Sequence, residues 1–509
     1  MPWAIAVGVV LHAALGAAVG LSVDEAHYAL YATHLALSYF DHPPLVGWVQ
    51  WPLVALNAPV ALMRVLPELL WLGTVLLVYG VAAQMARALK PAEPSRVDSS
   101  HPRCSAAGWA ALALVMSPIL HVLGIGLLPD TLLMFFTALL LAQTLTLMQP
   151  DALQQPARWL ALGVVLGLAG LSKYTALFAA LAVVPALLSV HGLRLLRSPW
   201  PWVAMGVAVA LVTPVLIWNA QNGWISFVYQ TQHGAGSVWQ WEHVVRFALV
   251  QLVAYGPLMF WGAAGAALTL RFARGGDGTA NRPALHSLRL RLSWLLVFFV
   301  LPFGVLAAMS GGGSGLPHWT APAWVALAPF VGLGLAAAGQ RTGVQAWLVR
   351  ACVALQLALS LGLMGLMASG GAGLVKGINP FADLHGWNVA SERAQSLARQ
   401  QGLNRVAVQN WTLASRLGWY ARPLPVHVLE DRFDQFDFWA GDLPAGSDAL
   451  LLDWSQMAYE LPLAPHGFAT CALLETLPVV HAGATLSTFS LYDCRQWAGT
   501  PQPRLKEGP

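Results

Sequence analysis

Repeated apolar runs, each about as long as a bilayer is thick, constrain this chain more than any other feature. A spanning helix needs about 20 predominantly apolar residues, with 17–25 the usual range. Candidate runs lie at roughly 2–21, 66–86, 106–122, 131–148, 159–172, 175–190, 201–219, 247–270, 292–309, 319–338 and 346–368. The stretch 159–190 is too long for one span, and division at Ser172-Lys173-Tyr174 turns it into two short ones. The chain is 57% hydrophobic and only 10% charged, against about 25% charged in soluble domains. The reading is a polytopic α-helical membrane protein with about 11 transmembrane helices. Nothing basic precedes the first run and no small-residue cleavage signal comes before Asp24, so 2–21 reads as a retained helix.

Loop charges orient these spans. One side receives fourteen cations, namely Arg87, Lys90, Arg96, Arg103, Arg158, Arg194, Arg197, Arg271, Arg274, Arg282, Arg289, Arg291, Arg341 and Arg350, and the other only Arg64, Lys173 and Arg246. Basic loops stay in the cytoplasm, so the N-terminus is expected inside. Residues 22–65, 123–130, 172–174, 220–246, 310–318 and everything after 368 are then external. Merging 159–190 into a single span would send the five-arginine loop 271–291 outside, which argues for the division. Asp24, Asp41, Asp130, Lys173, His233 and His318 all fall on the external face. Residues 1–368 hold 17 Lys/Arg and 10 Asp/Glu, and 369–509 hold 10 and 13. The net positive charge thus belongs to membrane loops and implies no nucleic acid.

Two domains are expected: a transmembrane one over 1–368 and a soluble one over 369–509. In the second, SERAQSLARQQG and TLASRLGWYA read as helices, and RVAVQNW, PVHVLE and DALLLDW as strands. TCALLETLPVV and TLSTFSLYDC read as two closing strands, which makes a small α/β domain. No G-x-G-x-x-G occurs there, so no nucleotide site is expected. Cys471 and Cys494 flank segments that can pair as neighbours, and an external location permits their oxidation. Two buried free thiols are the alternative. Cys104 and Cys352 are expected to stay reduced.

The segment VDEAHYALYATHLALSYFDHPPL concentrates charge in a chain that has little. Ser22-x-x-Glu25 has the form of a capping box, so Glu25 serves either the helix start or a ligand. Asp24 stands where the chain leaves the bilayer. An interfacial helix is expected over 26–39, with His27, Tyr31 and His34 on related turns. Pro43-Pro44 should stop it and hold Asp41-His42 extended. A carboxylate at such a surface suits general-base work, and histidine or lysine beside it suits an anionic phosphate. Histidines also suit metal, but the compact H-E-x-x-H spacing is missing. Asp130 either complements a helix dipole or serves chemistry, and Lys173 either snorkels or binds. SGGGSGLPHW reads as a mobile lid or as a plain connector, and WNAQNGWISFVYQTQHG as an amide- and aromatic-rich external loop.

DEAHYALYATHLALSYFDHPPLVGW, SPILHVLGIGLLPDTLLMF, GLAGLSKYTALF, SPWPWVAMGVAVALVTPVLIWNAQNGWISF and PHWTAPAW together resemble bacterial membrane glycosyltransferases of the GT-C class. Within that class the resemblance is to the protein O-mannosyltransferase and aminoarabinose-transferase superfamily. It runs from residue 1 to about 330, and DLHGW, NWTLASRLGWY and EDRFDQFDFW of the tail resemble a bacterial subgroup. It implies transfer of a hexosyl or pentosyl group, with inversion, from a polyprenyl-phosphate carrier to a lipid, glycan or protein acceptor. The enzyme would be a multi-pass protein of the bacterial inner membrane, acting on its periplasmic face. The family's first-loop aspartate falls on Asp24, the acid of its acid–base–Pro–Pro turn on Asp41 and its later Pro-Asp acid on Asp130. Glu25, His27, Tyr28, His42, Lys173, Tyr174 and His318 are the expected substrate-binding residues. The aminoarabinose transferases carry lysine where this chain has His42, and Lys173 is the alternative phosphate contact. A lipid-phosphate leaving group calls for no cofactor, with a divalent metal as the less favoured option. The rival class is a proton-coupled transporter or flippase of lipid-linked substrates, which would place ionisable residues at mid-span and show an inverted repeat.

Overall fold

The computed structural model describes the chain except residues 1, 90–104, 237, 273–281, 340–342, 375–376, 464 and 500–509. Lys90, Arg96, Arg103, Cys104, Arg274, Arg341 and the side chain of His233, which enter the expectations above, lie outside the described residues. Among those described, six helices are long and apolar enough to cross a membrane, or nine spans if each of three bent pairs is one. The shorter apolar helices Pro156–Ser172 and Ala176–His191 coincide with the two halves of 159–190.

Two expected spans are broken. In the region 106–122, helices Ala106–Val115 and Pro118–Ile125 meet at 70°. Pro118 has no N–H to donate and disfavours helical geometry at the residue before it. The Ser117 hydroxyl turns back to the Ala113 carbonyl at 2.8 Å and approaches that of Tyr255 at 3.0 Å. In the region 247–270, Trp241–Tyr255 and the helix that starts at Pro257 are bent by 101°. Gly256 between them has φ +81°, a conformation glycine takes without steric cost.

Compactness divides the chain differently from hydropathy. One unit comprises 1–12, 65–218 and 230–361; the other comprises 13–64, 219–229 and 362–509.

In the first unit, Ala321–Gly339 packs on Ala106–Val115, Pro129–Leu147 and Pro257–Phe272. A Cβ at Gly334 would strike the Gly262 carbonyl, and one at Gly332 the Ala106 carbonyl. Lipid tails give helices no hydrophobic reason to associate, so close approach at small residues supplies the contact energy. The glycine-rich turn after Ser310 is pinned by hydrogen bonds. The Gly311 carbonyl accepts from the Gln240 N–H at 2.8 Å and from His243 Nδ1 at 3.0 Å, and Trp239 Nε1 donates to the Ala308 carbonyl at 2.8 Å. Helix Ile225–Ala235, divided between the two units, takes up much of the stretch expected as an aromatic loop.

In the second unit, β1 (Val406–Val408), β2 (Val426–Val428), β3 (Ala449–Trp454), β4 (Phe468–His481) and β5 (Ala484–Trp497) form one sheet in the order β2-β1-β3-β5-β4. β1 runs parallel to β2 and β3, while β5 is antiparallel to β3 and β4. Helices Trp387–Gln400 and Trp411–Tyr420 fall where the helical patterns were read. Cys471 and Cys494 lie opposite each other on β4 and β5 and are joined by a disulfide. Val406, Val408, Leu413, Leu417, Leu450 and Leu452 share their core with Ala26, Ala29 and Leu30. Those last three belong to a helix that runs Val23–Thr33 and not 26–39. It stops where the Thr33 hydroxyl donates to the Leu30 carbonyl at 2.7 Å and His34 leaves helical geometry. Pro43-Pro44 starts a helix instead of ending one: Pro44 is the N-cap of Leu45–Ala55.

Candidate functional site

The capping box at Ser22 is present, with the Glu25 N–H donating to Ser22 Oγ at 3.3 Å and the Ser22 N–H to Glu25 Oε2 at 3.0 Å. Arg64 supplies the rest of Glu25's coordination, from Nε to Oε1 at 2.9 Å and from Nη2 to Oε2 at 3.0 Å. The same guanidinium donates to the carbonyls of Gly16, Val19 and Gly20 at 2.6–2.8 Å. It therefore closes the C-terminal end of Pro2–Ala18, where carbonyls lack helical partners. Both Glu25 oxygens are engaged in holding this bend.

Asp24, its neighbour in the same first turn, differs. It is half-buried, and among the described residues its carboxylate takes no hydrogen bond or ion pair. Its charge is felt by Arg416 of the tail. Burial pulls that guanidinium down to about 9, and Asp24 opposes the shift.

Asp41 is fully committed. Tyr31 Oη donates to Oδ1, while His42 Nδ1 lies 3.0 Å and His27 Nε2 3.6 Å from Oδ2. Burial pushes this carboxyl up, but the opposing pull of His42 and His27 is stronger and holds it well below the usual carboxylate range. His27 sits among the rings of Tyr28, Tyr31, Trp411, Phe436 and Trp439. Tyr28 also meets His42 edge-on at 5.3 Å.

The first unit holds a separate cluster. Asp130 stands in the first turn of Pro129–Leu147, and Lys173 is the C-cap of Pro156–Ser172. Each charge is at the helix end its dipole favours. Lys173 Nζ is 2.7 Å from both Asp130 oxygens, His318 Nε2 is 3.8 Å from Oδ2, and Lys173 also lies 5.6 Å from the Trp319 ring centroid. Tyr174 follows in the turn after Lys173 and is half-buried.

The sequence-derived residues thus fall into two groups. Asp24, Glu25, His27, Tyr28, Asp41 and His42 belong to one unit, and Asp130, Lys173, Tyr174 and His318 to the other. Arg64, Asp383, Ser415 and Arg416 were missed. An arginine between Ala414 and Leu417 on the buried face of a helix was the available signal, since buried charge is costly unless paired.

The family model for dolichyl-phosphate-mannose-protein mannosyltransferase matches residues 103–218. The chain is 25% identical over 243 residues to the lipid A galacturonosyltransferase RgtD of Rhizobium johnstonii. That match covers 47% of each protein, so the chain spans about half the length of the curated relative it matches. The structures of ArnT from Cupriavidus metallidurans, apo and bound to undecaprenyl phosphate, share the fold. Each has a TM-score of 0.57 at 17% identity, covering 96% of this chain and 97% of that one. The arabinofuranosyltransferase AftD from Mycobacteria gives a TM-score of 0.50 at 16% identity, covering 97% of this chain and 39% of its own.

Proposed function

Starting from a chain whose fold is that of GT-C membrane glycosyltransferases, we propose that it transfers a sugar from a polyprenyl-phosphate carrier to a cell-envelope acceptor, with inversion. The acceptor oxygen forms a bond to the anomeric carbon while the bond from that carbon to the phosphate oxygen breaks. Asp24 takes the acceptor's proton. One observation carries this assignment: of the three candidate acids, Asp41 is engaged by Tyr31 and two histidines and Asp130 by Lys173, whereas Asp24 has no hydrogen-bond or ion-pair partner among the described residues. Base catalysis needs a carboxylate with a free lone pair aimed outward. Cationic donors stabilise a departing phosphate, and His42 and Lys173 are the two candidates for that contact, each within its own unit. The charge asymmetry of the loops supports reaction on the periplasmic face of a bacterial inner membrane, with 369–509 external. The undecaprenyl phosphate of the ArnT structure and the lipid A named for RgtD supply the first donor carrier and acceptor to try.

The test uses the full-length protein in detergent with undecaprenyl-phosphate galacturonate and lipid A, read by mass spectrometry. Envelope glycolipids of a deletion strain, compared with its parent, identify the natural sugar and acceptor. An unchanged envelope together with no transfer in vitro refutes the reading.

The rival reading, a proton-coupled transporter, draws on one buried network. Glu68 Oε2 is 2.6 Å from His12 Nδ1, and His12 Nε2 is 2.8 Å from His121 Nδ1. Wild-type protein that flips no lipid-linked substrate in liposomes, together with His12→Leu protein that transfers sugar normally, assigns this network to packing.

A further inference from the structure

Arg416 is 1% exposed, and its guanidinium lies 4.0 Å from the ring centroid of Trp387 and 4.8 Å from that of Trp454. A cation enclosed in this way needs an acid, and Nη1 is ion-paired with Asp383 Oδ1. The other Asp383 oxygen accepts the N–H of Val23 at 3.0 Å. Val23 is the first residue of the helix Val23–Thr33 and precedes Asp24. The arginine, clamped by two indoles, thus fixes an acid that fixes the backbone on which Asp24 is mounted.

The residue beside Arg416 does the same for the second acid. The Ser415 hydroxyl donates to the Trp411 carbonyl at 2.7 Å, so it accepts from His27 Nδ1 at 3.0 Å. That assigns the Nδ1 proton. His27 Nε2, 3.6 Å from Asp41, therefore meets the carboxylate as a donor only when the ring carries both protons. Consecutive residues of one tail helix hold the two acidic positions of the first loop.

We infer that Arg416, through Asp383, is a positioning residue for Asp24, and that Ser415, through His27, is one for Asp41. This rests on the proposed sugar transfer for its kinetic consequence but not for its structural one. The tail domain is then a part of the catalytic apparatus, and the membrane helices alone do not complete it.

Full-length Asp383→Asn, Arg416→Gln and Ser415→Ala proteins test this with two readouts. The first is amide exchange over the peptide 20–33, which reads placement whether or not sugar moves. The second is steady-state transfer from undecaprenyl-phosphate galacturonate. Misplacement of a reacting group by about 1 Å costs on the order of 10²-fold, so Asp383→Asn should lower kcat by about 10- to 100-fold. An interaction used only in the transition state leaves donor KM within about twofold. Exchange over 20–33 should accelerate in Asp383→Asn and Arg416→Gln, and Ser415→Ala should lower kcat with donor KM kept; unchanged exchange and unchanged kcat in Ser415→Ala overturn its half of the inference. If Arg416→Gln fails to fold, the nearly isosteric Asp383→Asn decides. Unchanged exchange and unchanged kcat in Asp383→Asn overturn the inference. A wild-type protein that moves no sugar, with exchange accelerated in the variants, overturns the proposed activity and leaves the positioning in place.

Discussion

Lys173 places its ammonium nitrogen 2.7 Å from each carboxylate oxygen of Asp130, and both residues are buried. Sequence alone suggests that Lys173→Ala leaves the fold intact and weakens only donor use. The ion pair changes that expectation. Removing one partner of a buried pair typically costs about 3–5 kcal/mol, whereas replacing both with apolar groups of similar volume is often neutral. Lys173→Ala should therefore melt well below wild type in detergent, and Lys173→Met with Asp130→Leu should recover stability without recovering transfer. A single variant that melts like wild type would show that the pair does not stabilise the fold.

Asp24→Asn keeps the size and removes the basicity of a carboxylate that has no structural partner among the described residues. Its melting temperature should stay within a degree or two of wild type, roughly the effect of a half-exposed polar exchange. Transfer should fall by about 10²–10⁴-fold, the usual worth of general-base catalysis. Near-normal turnover by purified Asp24→Asn protein would move the base elsewhere.

Glu25→Gln has the opposite profile. Glu25 balances the charge of Arg64 and completes the capping box, so the loss should appear in stability. A double-mutant cycle of Glu25→Gln and Arg64→Met should give a coupling energy in the range of about 0.5–3 kcal/mol seen for contacting residues. Additive effects on melting would mean that the bend at Gly20 is held by the carbonyls alone.

Burial, with the charge of Asp437 adding to it, raises the carboxyl of Asp434 to about 7; burial raises that of Asp437 to about 6. Their folded proton affinities exceed the unfolded ones, so the stabilisation is full below about pH 4 and is lost as pH rises toward 7. One such group gives a slope of up to roughly 1.4 kcal/mol per pH unit. Asp434→Asn preserves the helix cap to the Phe436 N–H and should flatten the melting profile between pH 4 and 7. A variant as pH-sensitive as wild type in that window would locate the titration in other groups.

Much of the membrane part was legible because about 20 apolar residues in a row have few alternatives in lipid. The breaks at Ser117 and Gly256 were less so, since hydropathy averages over the single residue that bends a helix. In the tail, period-2 and period-3.6 patterns separated β1 to β5 from Trp387–Gln400 and Trp411–Tyr420 with small boundary errors. Asp24, Asp41, Asp130 and Lys173 stood out as rare charges in an apolar chain. Their partners did not. Arg64 is 39 residues from Glu25, Lys173 is 43 from Asp130, and Ser415 is 388 from His27. Local pattern carries no information about pairing at such separations. The helix end at Thr33 was missed because Leu35 and Leu37 continue the apolar rhythm although both are exposed.

The core shared by Ala26, Ala29 and Leu30 with the tail has a temporal side. The ribosome makes His27 early and Ser415 388 residues later. At the usual 5–20 residues per second, that interval is roughly 20 to 80 seconds. Throughout it the Val23–Thr33 helix is already made while its apolar face and its histidine wait for partners not yet synthesised. Chains terminated before Trp411 would insert their helices and never assemble the acidic turn, so premature stop products should be inert and prone to degradation however complete their membrane spans.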